Sequence, residues 1–222
     1  MKRSSLIVTG LLLSALSLGG CATKETTQPD QYSGFLSDYS RLQPAKSPTG
    51  KPVMRWMAPG FKLDNYRYVQ VKSIGFYPMP SPNEQIRASA LNDLQAYTSQ
   101  QIKAAFGRRL QVVEPGSMSP PSETLILRAA LTGVSSGNKP LKGYEVIPIA
   151  LVAAAATSAA GARDQETQLF VEAELLDAST GKPVLQVVRK GFGKELENKE
   201  QQVTLATLKG VVDGMVRDIE KF

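Results

Sequence analysis

The hydrophobic positions after residue 60 alternate in short runs that predict β-strands. Each run places apolar residues on one face of a strand and polar residues on the other. The apolar phase shifts at Ser73, which predicts a bulge in the first strand. The turn residues between Asp177 and Pro183 predict that the last two strands pair as a hairpin. The predicted strands lie at 66–76, 110–113, 125–131, 169–175 and 184–192.

Apolar residues three and four positions apart predict two long helices. The first follows Ser81-Pro82-Asn83-Glu84, which has the pattern of a capping box, and ends at Gly107. The second occupies the C-terminus, where Gly210 and Gly214 are expected to allow close packing on the sheet. Its apolar positions are Leu205, Leu208, Val212, Met215, Ile219 and Phe222.

These elements predict an α/β (α+β) domain over 61–222. We expect a single mixed or antiparallel sheet of about four to five strands, with both helices packed on one face. The charged residues of the other face, Arg128, Glu172, Glu174 and Arg189, are expected to form cross-strand pairs on a solvated surface. That interpretation is favoured over acid–base catalysis by the two glutamates.

The N-terminus has the pattern of a bacterial lipoprotein signal. A basic start, an apolar stretch and two glycines form a signal peptide over 1–20, and Leu18-Gly19-Gly20-Cys21 has the pattern of a lipobox. We therefore expect cleavage between Gly20 and Cys21 and acylation of Cys21, which would anchor the mature chain in a membrane. Ala22 follows the cysteine rather than Asp, which favours the outer membrane.

Residues 21–60 are rich in Pro, Thr, Gln and Ser, a composition typical of a tether. Residues 32–42 differ, because their aromatic and aliphatic side chains recur at roughly helical spacing. We expect this motif to dock on the domain. The alternative is an exposed contact for a partner through Tyr32, Phe35 and Tyr39.

An apolar insertion at 144–162 carries no charge from Val146 onward. It is short and alanine-rich for a membrane span. Three interpretations remain open: a segment folded against the domain, a contact with the membrane or a partner subunit, and a true span. The candidate contact residues are Ile147, Ile149, Leu151 and Val152.

Composition excludes several kinds of chemistry. The chain has 222 residues, no histidine and a single cysteine, which excludes the Ser-His-Asp triad, the Cys-His dyad and the usual zinc-ligand sets. No nucleotide-binding or nucleophile motif is visible. We therefore predict no enzyme activity, no catalytic residues, no cofactor and no metal. The net charge of +6 is scattered rather than clustered, and an exported chain meets no nucleic acid.

The lipobox, residues 33–42, Tyr77-Pro78 and the 177–183 hairpin turn together resemble an uncharacterised, domain-of-unknown-function family of Gram-negative outer-membrane lipoproteins. The resemblance covers nearly all of the mature chain and implies a lipid-anchored α/β domain. It implies no activity. We expect a non-catalytic binding module on the periplasmic face of the outer membrane, whose partner is an envelope protein or another copy of the chain. The alternative is a self-associating structural lipoprotein that contacts the membrane through 146–162.

Overall fold

The computed structural model of the chain describes residues 26–80, 82, 86–133, 167–196 and 201–222. Within these ranges, eight strands form one mixed sheet accompanied by two α-helices. The strands are β1 (Gln43–Lys46), β2 (Pro52–Met57), β3 (Tyr68–Val71), β4 (Gly75–Phe76), β5 (Gln111–Val113), β6 (Thr124–Gly133), β7 (Gln168–Asp177) and β8 (Pro183–Phe192). The helices are α1 (Ala88–Phe106) and α2 (Leu205–Glu220).

The strands are ordered β1-β2-β8-β7-β6-β3-β5, and β4 also pairs with β6. Pairs that involve β3 or β4 are parallel, and the others are antiparallel. The sheet is mixed, and β7 and β8 form the expected hairpin. The expectation of four to five strands was too low. The additional strands are β1 and β2, which lie in the segment predicted to be a tether, and β4, which lies within the predicted first strand.

Strands β1 and β2 extend the sheet into the segment that was assigned to a tether. Because Arg55 pairs with Val187 and Trp56 with Gln186, β2 lies beside β8 in the interior of the sheet. The apolar run of β2, which only Arg55 interrupts, is the signal that the proline content concealed. In the structure the domain therefore does not begin at residue 61, because two strands of its sheet precede that position.

The bulge predicted at Ser73 separates β3 from β4. Both strands run parallel to β6: Val71 lies opposite Leu127, and Gly75 lies opposite Ala130. The chain thus advances four positions from Val71 to Gly75 while β6 advances three from Leu127 to Ala130. The difference of one is the extra residue of a bulge.

The main hydrophobic core lies between the two helices and one face of the sheet. Leu94 and Ile102 of α1, Leu208 and Val212 of α2, and Leu127 of β6 are among its buried members. The helices also contact each other through Tyr97, whose hydroxyl donates a 2.5 Å hydrogen bond to Asp213. Helix α1 begins later than predicted, at Ala88. Pro82 lies outside it, and the rest of the predicted capping box falls outside the described residues.

The glycines that permit close packing of α2 lie on β8 and directly after it, not on the helix. A Cβ atom added to Gly210 would meet nothing within 4 Å. A Cβ on Gly193 would lie 2.6 Å from the carbonyl oxygen of Thr207, and one on Gly191 would collide with the side chain of Val211. The close approach predicted from Gly210 and Gly214 is thus made by the end of the strand, where missing side chains let the helix backbone come near.

Candidate functional site

The face of the sheet opposite the helices carries a row of polar side chains that are buried. Register places Arg128, Glu174, Gln186 and Trp56 side by side across four strands. Arg128 pairs with Glu174 at 2.5 Å, and the Gln186 amide donates to the other carboxylate oxygen at 3.1 Å. Glu174 is only 1% exposed. The expectation that these glutamates lie on a solvated face was therefore wrong, although the Arg128–Glu174 cross-strand pair forms.

Glu172 is fully buried in the neighbouring row, and the N-terminal segment supplies its hydrogen bonds. The backbone N–H of Ser33 donates to one oxygen at 2.8 Å, and the hydroxyl of Tyr39 donates to the other at 2.5 Å. Burial and this contact with a carboxylate both raise the pKa of Tyr39 well above its usual range. The hydrogen bond to Glu172 thus stabilises the neutral form of the Tyr39 phenol.

Residues 32–42 cover this face with a second apolar cluster. Leu36 and Leu42 are buried against Val188, with the rings of Tyr32 and Tyr39 stacked at 4.6 Å. The backbone is held by a bond from the N–H of Leu36 to the Tyr39 hydroxyl. The physical reason for the arrangement is that the segment satisfies a buried charge and covers apolar surface at the same time.

Two arginines connect the segment to the sheet. The guanidinium of Arg41 stacks 3.7 Å from the centre of the Trp56 ring and donates to Gln186 at 3.1 Å. Arg128 lies 5.3 Å from the centre of the Phe35 ring. These contacts are of the cation–π kind, for which Arg and Trp are the most favourable partners.

Of the candidate contact residues, the structure places Tyr32, Phe35 and Tyr39 together on this face, each half-buried. The lipid-attachment and cleavage positions, Gly20 and Cys21, lie outside the described residues. So do the insertion at 144–162 and its four candidate contacts, Ile147, Ile149, Leu151 and Val152. Sequence reasoning missed Glu172 and Glu174 as buried anchors, and the available signal was that two acids alternate with apolar residues in an otherwise strongly hydrophobic strand.

A cavity of about 140 Å³ lies on the other side of the sheet, between it and the two helices. Its walls are mainly aliphatic and aromatic. The lining side chains include Ile102 and Phe106 from α1, Val212 and Met215 from α2, and Ala173 and Val187 from the sheet. The cavity was not predicted from the sequence, because packing defects leave no pattern there.

An ion pair between Arg189 and Asp218 borders the cavity. Asp218 also accepts hydrogen bonds from the backbone and side chain of Thr49, in the turn between β1 and β2. Burial, together with nearby Arg217, lowers the pKa of Arg189 to about 10. Arg189 was expected on the polar face with Arg128, but register places it opposite Val171, on the helix side.

Neither a metal site nor a membrane span is found in the part of the chain that the structure describes. No group of three or more acidic, histidine or cysteine side chains there is arranged to hold a metal ion. Neither of the two described helices combines the length and apolar character that crossing a bilayer requires.

Residues 31–219 match the family described as "Protein of unknown function (DUF3313)". The chain belongs to this family. An uncharacterized lipoprotein of Escherichia coli K12, YdcL, is 40% identical over 222 residues, which covers 100% of this chain and 98% of that protein. The same match is found with YdcL of E. coli O157:H7. This DUF3313 chain is therefore a member of a lipoprotein family of unknown function, and lipoprotein status implies a membrane anchor.

Similarity to solved structures is weak. The hypothetical protein CT253 from Chlamydia trachomatis is 12% identical with a TM-score of 0.41, over 69% of this chain and 93% of that one. A PelC dodecamer from Paraburkholderia phytofirmans gives a TM-score of 0.36 at 9% identity, over 77% and 97% of the two chains. Lipoprotein GNA1162 from Neisseria meningitidis gives 0.32 at 13% identity, over 70% and 99%.

Proposed function

We propose that this DUF3313 protein is a non-catalytic binding module attached to the periplasmic face of the outer membrane through acylated Cys21. The observation that carries the proposal is how early the folded structure begins. Thr27 is already buried, and the chain docks on the sheet from Tyr32 onward. Instead of a long tether, only a short connection separates the lipid from the domain.

The length of that connection sets how far the domain stands from the bilayer. Five peptide units separate Cys21 from Thr26, and even fully extended they span only about 18 Å. A domain on so short a connection works at the membrane surface and does not reach far across the periplasm. Its ligands are therefore lipids, or molecules that come to the membrane.

The two buried glutamates favour a binding role over catalysis. Glu172 and Glu174 are the acidic pair that acid–base chemistry would use, but both side chains are buried, and Glu172 is held by residues 33 and 39. Their oxygens accept hydrogen bonds from Ser33, Tyr39, Arg128 and Gln186. Carboxylates held in this way stabilise the fold and are not available to a substrate.

Attachment is tested by Cys21→Ser. The wild-type protein should incorporate labelled palmitate and sediment with outer membranes, and the C21S variant should do neither. A variant that still fractionates with the outer membrane, or a wild-type protein found with the inner membrane, would contradict the proposal.

The short stand-off is tested by inserting 20 Gly/Ser residues between Thr23 and Lys24, which adds a flexible segment of about 25 Å r.m.s. length. A photo-crosslinking amino acid in place of Asp30, which is partly exposed, should capture lipid headgroups in the wild-type spacing and several-fold less in the insertion variant. The matched control carries the same 20 residues after Phe222. Equal lipid capture by all three proteins would overturn the surface-bound geometry.

A further inference from the structure

The cavity between the helices and the sheet is lined mainly by apolar side chains. Its volume of about 140 Å³ is close to that of an engineered apolar cavity of about 150 Å³, which stays dry and binds benzene. A space of this size in a close-packed interior leaves the surrounding side chains without contacts that an apolar ligand would supply.

The charge at the edge of the cavity indicates which kind of apolar ligand fits. Arg55, on β2, lines the cavity and is partly exposed, so it marks where the cavity reaches solvent. The other arginine in the lining, Arg189, is neutralised by Asp218. Arg55 makes no ion pair with any residue that the structure describes, so its guanidinium is available to an anion.

We infer that the cavity binds the hydrocarbon chain of an anionic amphiphile, whose carboxylate or phosphate is held by Arg55 at the cavity edge. The chain is supplied by a free fatty acid or by a membrane phospholipid. This inference deepens the proposed function by naming its ligand class. A domain held at a bilayer surface meets both sources at high local concentration.

The first test is calorimetric titration of decanoate into the chain from Ala22 onward, which retains every residue that the structure describes. Ala173→Leu should fill the cavity and weaken decanoate binding at least tenfold, whereas Ala96→Leu, on the exposed surface of α1, should leave it unchanged. Circular dichroism melting confirms that both variants are folded. No saturable binding to the wild type, or equal affinity in the wild type and A173L, overturns the inference.

The second test separates the head group from the chain. Arg55→Gln should weaken decanoate about tenfold and leave the affinity for the neutral alcohol decanol within twofold. Equal losses of affinity for both ligands, or no loss of affinity for decanoate, would show that Arg55 does not bind the head group. If A173L leaves the melting temperature unchanged and folded protein still binds decanoate, the assignment of the cavity fails even when R55Q has an effect.

The third test identifies the source of the chain. The protein is incubated with vesicles of phosphatidylglycerol and oleate and reisolated, and mass spectrometry then measures the retained lipid. Retained phospholipid supports a membrane-lipid ligand, retained oleate alone supports a fatty acid, and retention of neither by the wild type contradicts the inference. These measurements use a chain without its anchor, so they fail or succeed independently of the Cys21 experiments.

Discussion

The hydroxyl of Tyr39 donates a 2.5 Å hydrogen bond to Glu172, a side chain at the centre of the sheet with no exposed surface. The two residues are 133 positions apart in the sequence. Because the bond joins the first docked segment to β7, it couples the N-terminal region to the middle of the fold. Docking of the distant segment therefore supplies a hydrogen-bond donor that the buried carboxylate needs.

Tyr39→Phe should destabilise the domain by about 1–3 kcal/mol, because it leaves a buried carboxylate oxygen without its donor. Urea denaturation measures the change. Tyr68→Phe is the matched control, since Tyr68 on β3 has no hydrogen bond to lose among the described contacts, and its effect should stay within about 0.5 kcal/mol. In combination with Glu172→Gln, the loss from Y39F should shrink, and strictly additive losses would show that the two groups do not interact.

Stability should fall as the pH rises above about 10. The pKa of Tyr39 is raised in the folded protein by burial and by Glu172, whereas in the unfolded chain it is about 10. Folding therefore favours the protonated phenol. Its contribution is fully present below the unfolded pKa and is lost as the pH rises toward the folded pKa.

Tyr66 should act in the same direction, since burial and its bond to Asp177 raise its pKa to about 12. Urea midpoints measured from pH 8 to pH 12 should decline steeply in the wild type and less steeply in a Tyr39→Phe, Tyr66→Phe double variant. If the urea midpoints of the two proteins decline in parallel, the loss of stability at high pH does not come from these two tyrosines.

Arg128→Leu should destabilise the domain by about 1–3 kcal/mol, because it leaves the buried carboxylate of Glu174 without its cation. Arg67→Leu is the matched control. Arg67 pairs with Glu123 at 3.8 Å while 75% of its side chain is exposed, and such pairs contribute between about 0 and 1 kcal/mol. Thermal unfolding at neutral pH compares the two, and similar losses would contradict the burial argument.

Gly193→Ala should destabilise the protein by about 1–3 kcal/mol, because the new methyl group would force α2 away from the end of β8. Gly210→Ala lies on the helix itself but meets nothing within 4 Å. It should instead stabilise the helix by up to about 1 kcal/mol. If the glycines at the end of β8 permit the close packing, the free energy of unfolding should fall in G193A and rise in G210A when both are measured by denaturation. A lower free energy of unfolding in G210A would instead support close packing through the glycines of α2.

The sequence predicts the elements of this fold better than it predicts what covers them. Period-two alternation correctly placed Glu172 and Glu174 on the polar side of β7, and helical spacing located α2. The burial of that polar side depends on residues 32–42, more than 130 positions away, and no local pattern expresses such a contact.

The same limit explains the errors at the N-terminus and in β8. Prolines made residues 43–57 resemble a linker, yet Pro44 and Pro52 lie at an outer strand and at a strand start, where a missing N–H is tolerated. Arg189 was assigned to the wrong face because a register shift between Leu175 and Leu176 sets the phase of the hairpin. The cavity depends on how closely the two helices pack against the sheet, which only the assembled structure shows.

Pro44 has a further consequence for a protein confined to a membrane. It lies in β1, the outermost strand on one side of the sheet, followed two positions later by exposed Lys46, and β5 on the opposite side is only three residues long. Neighbouring copies on a two-dimensional surface meet far more often than copies in dilute solution. Short outer strands with a proline and a charge offer such neighbours few hydrogen-bonding positions, so pairing between the sheet edges of crowded copies is disfavoured.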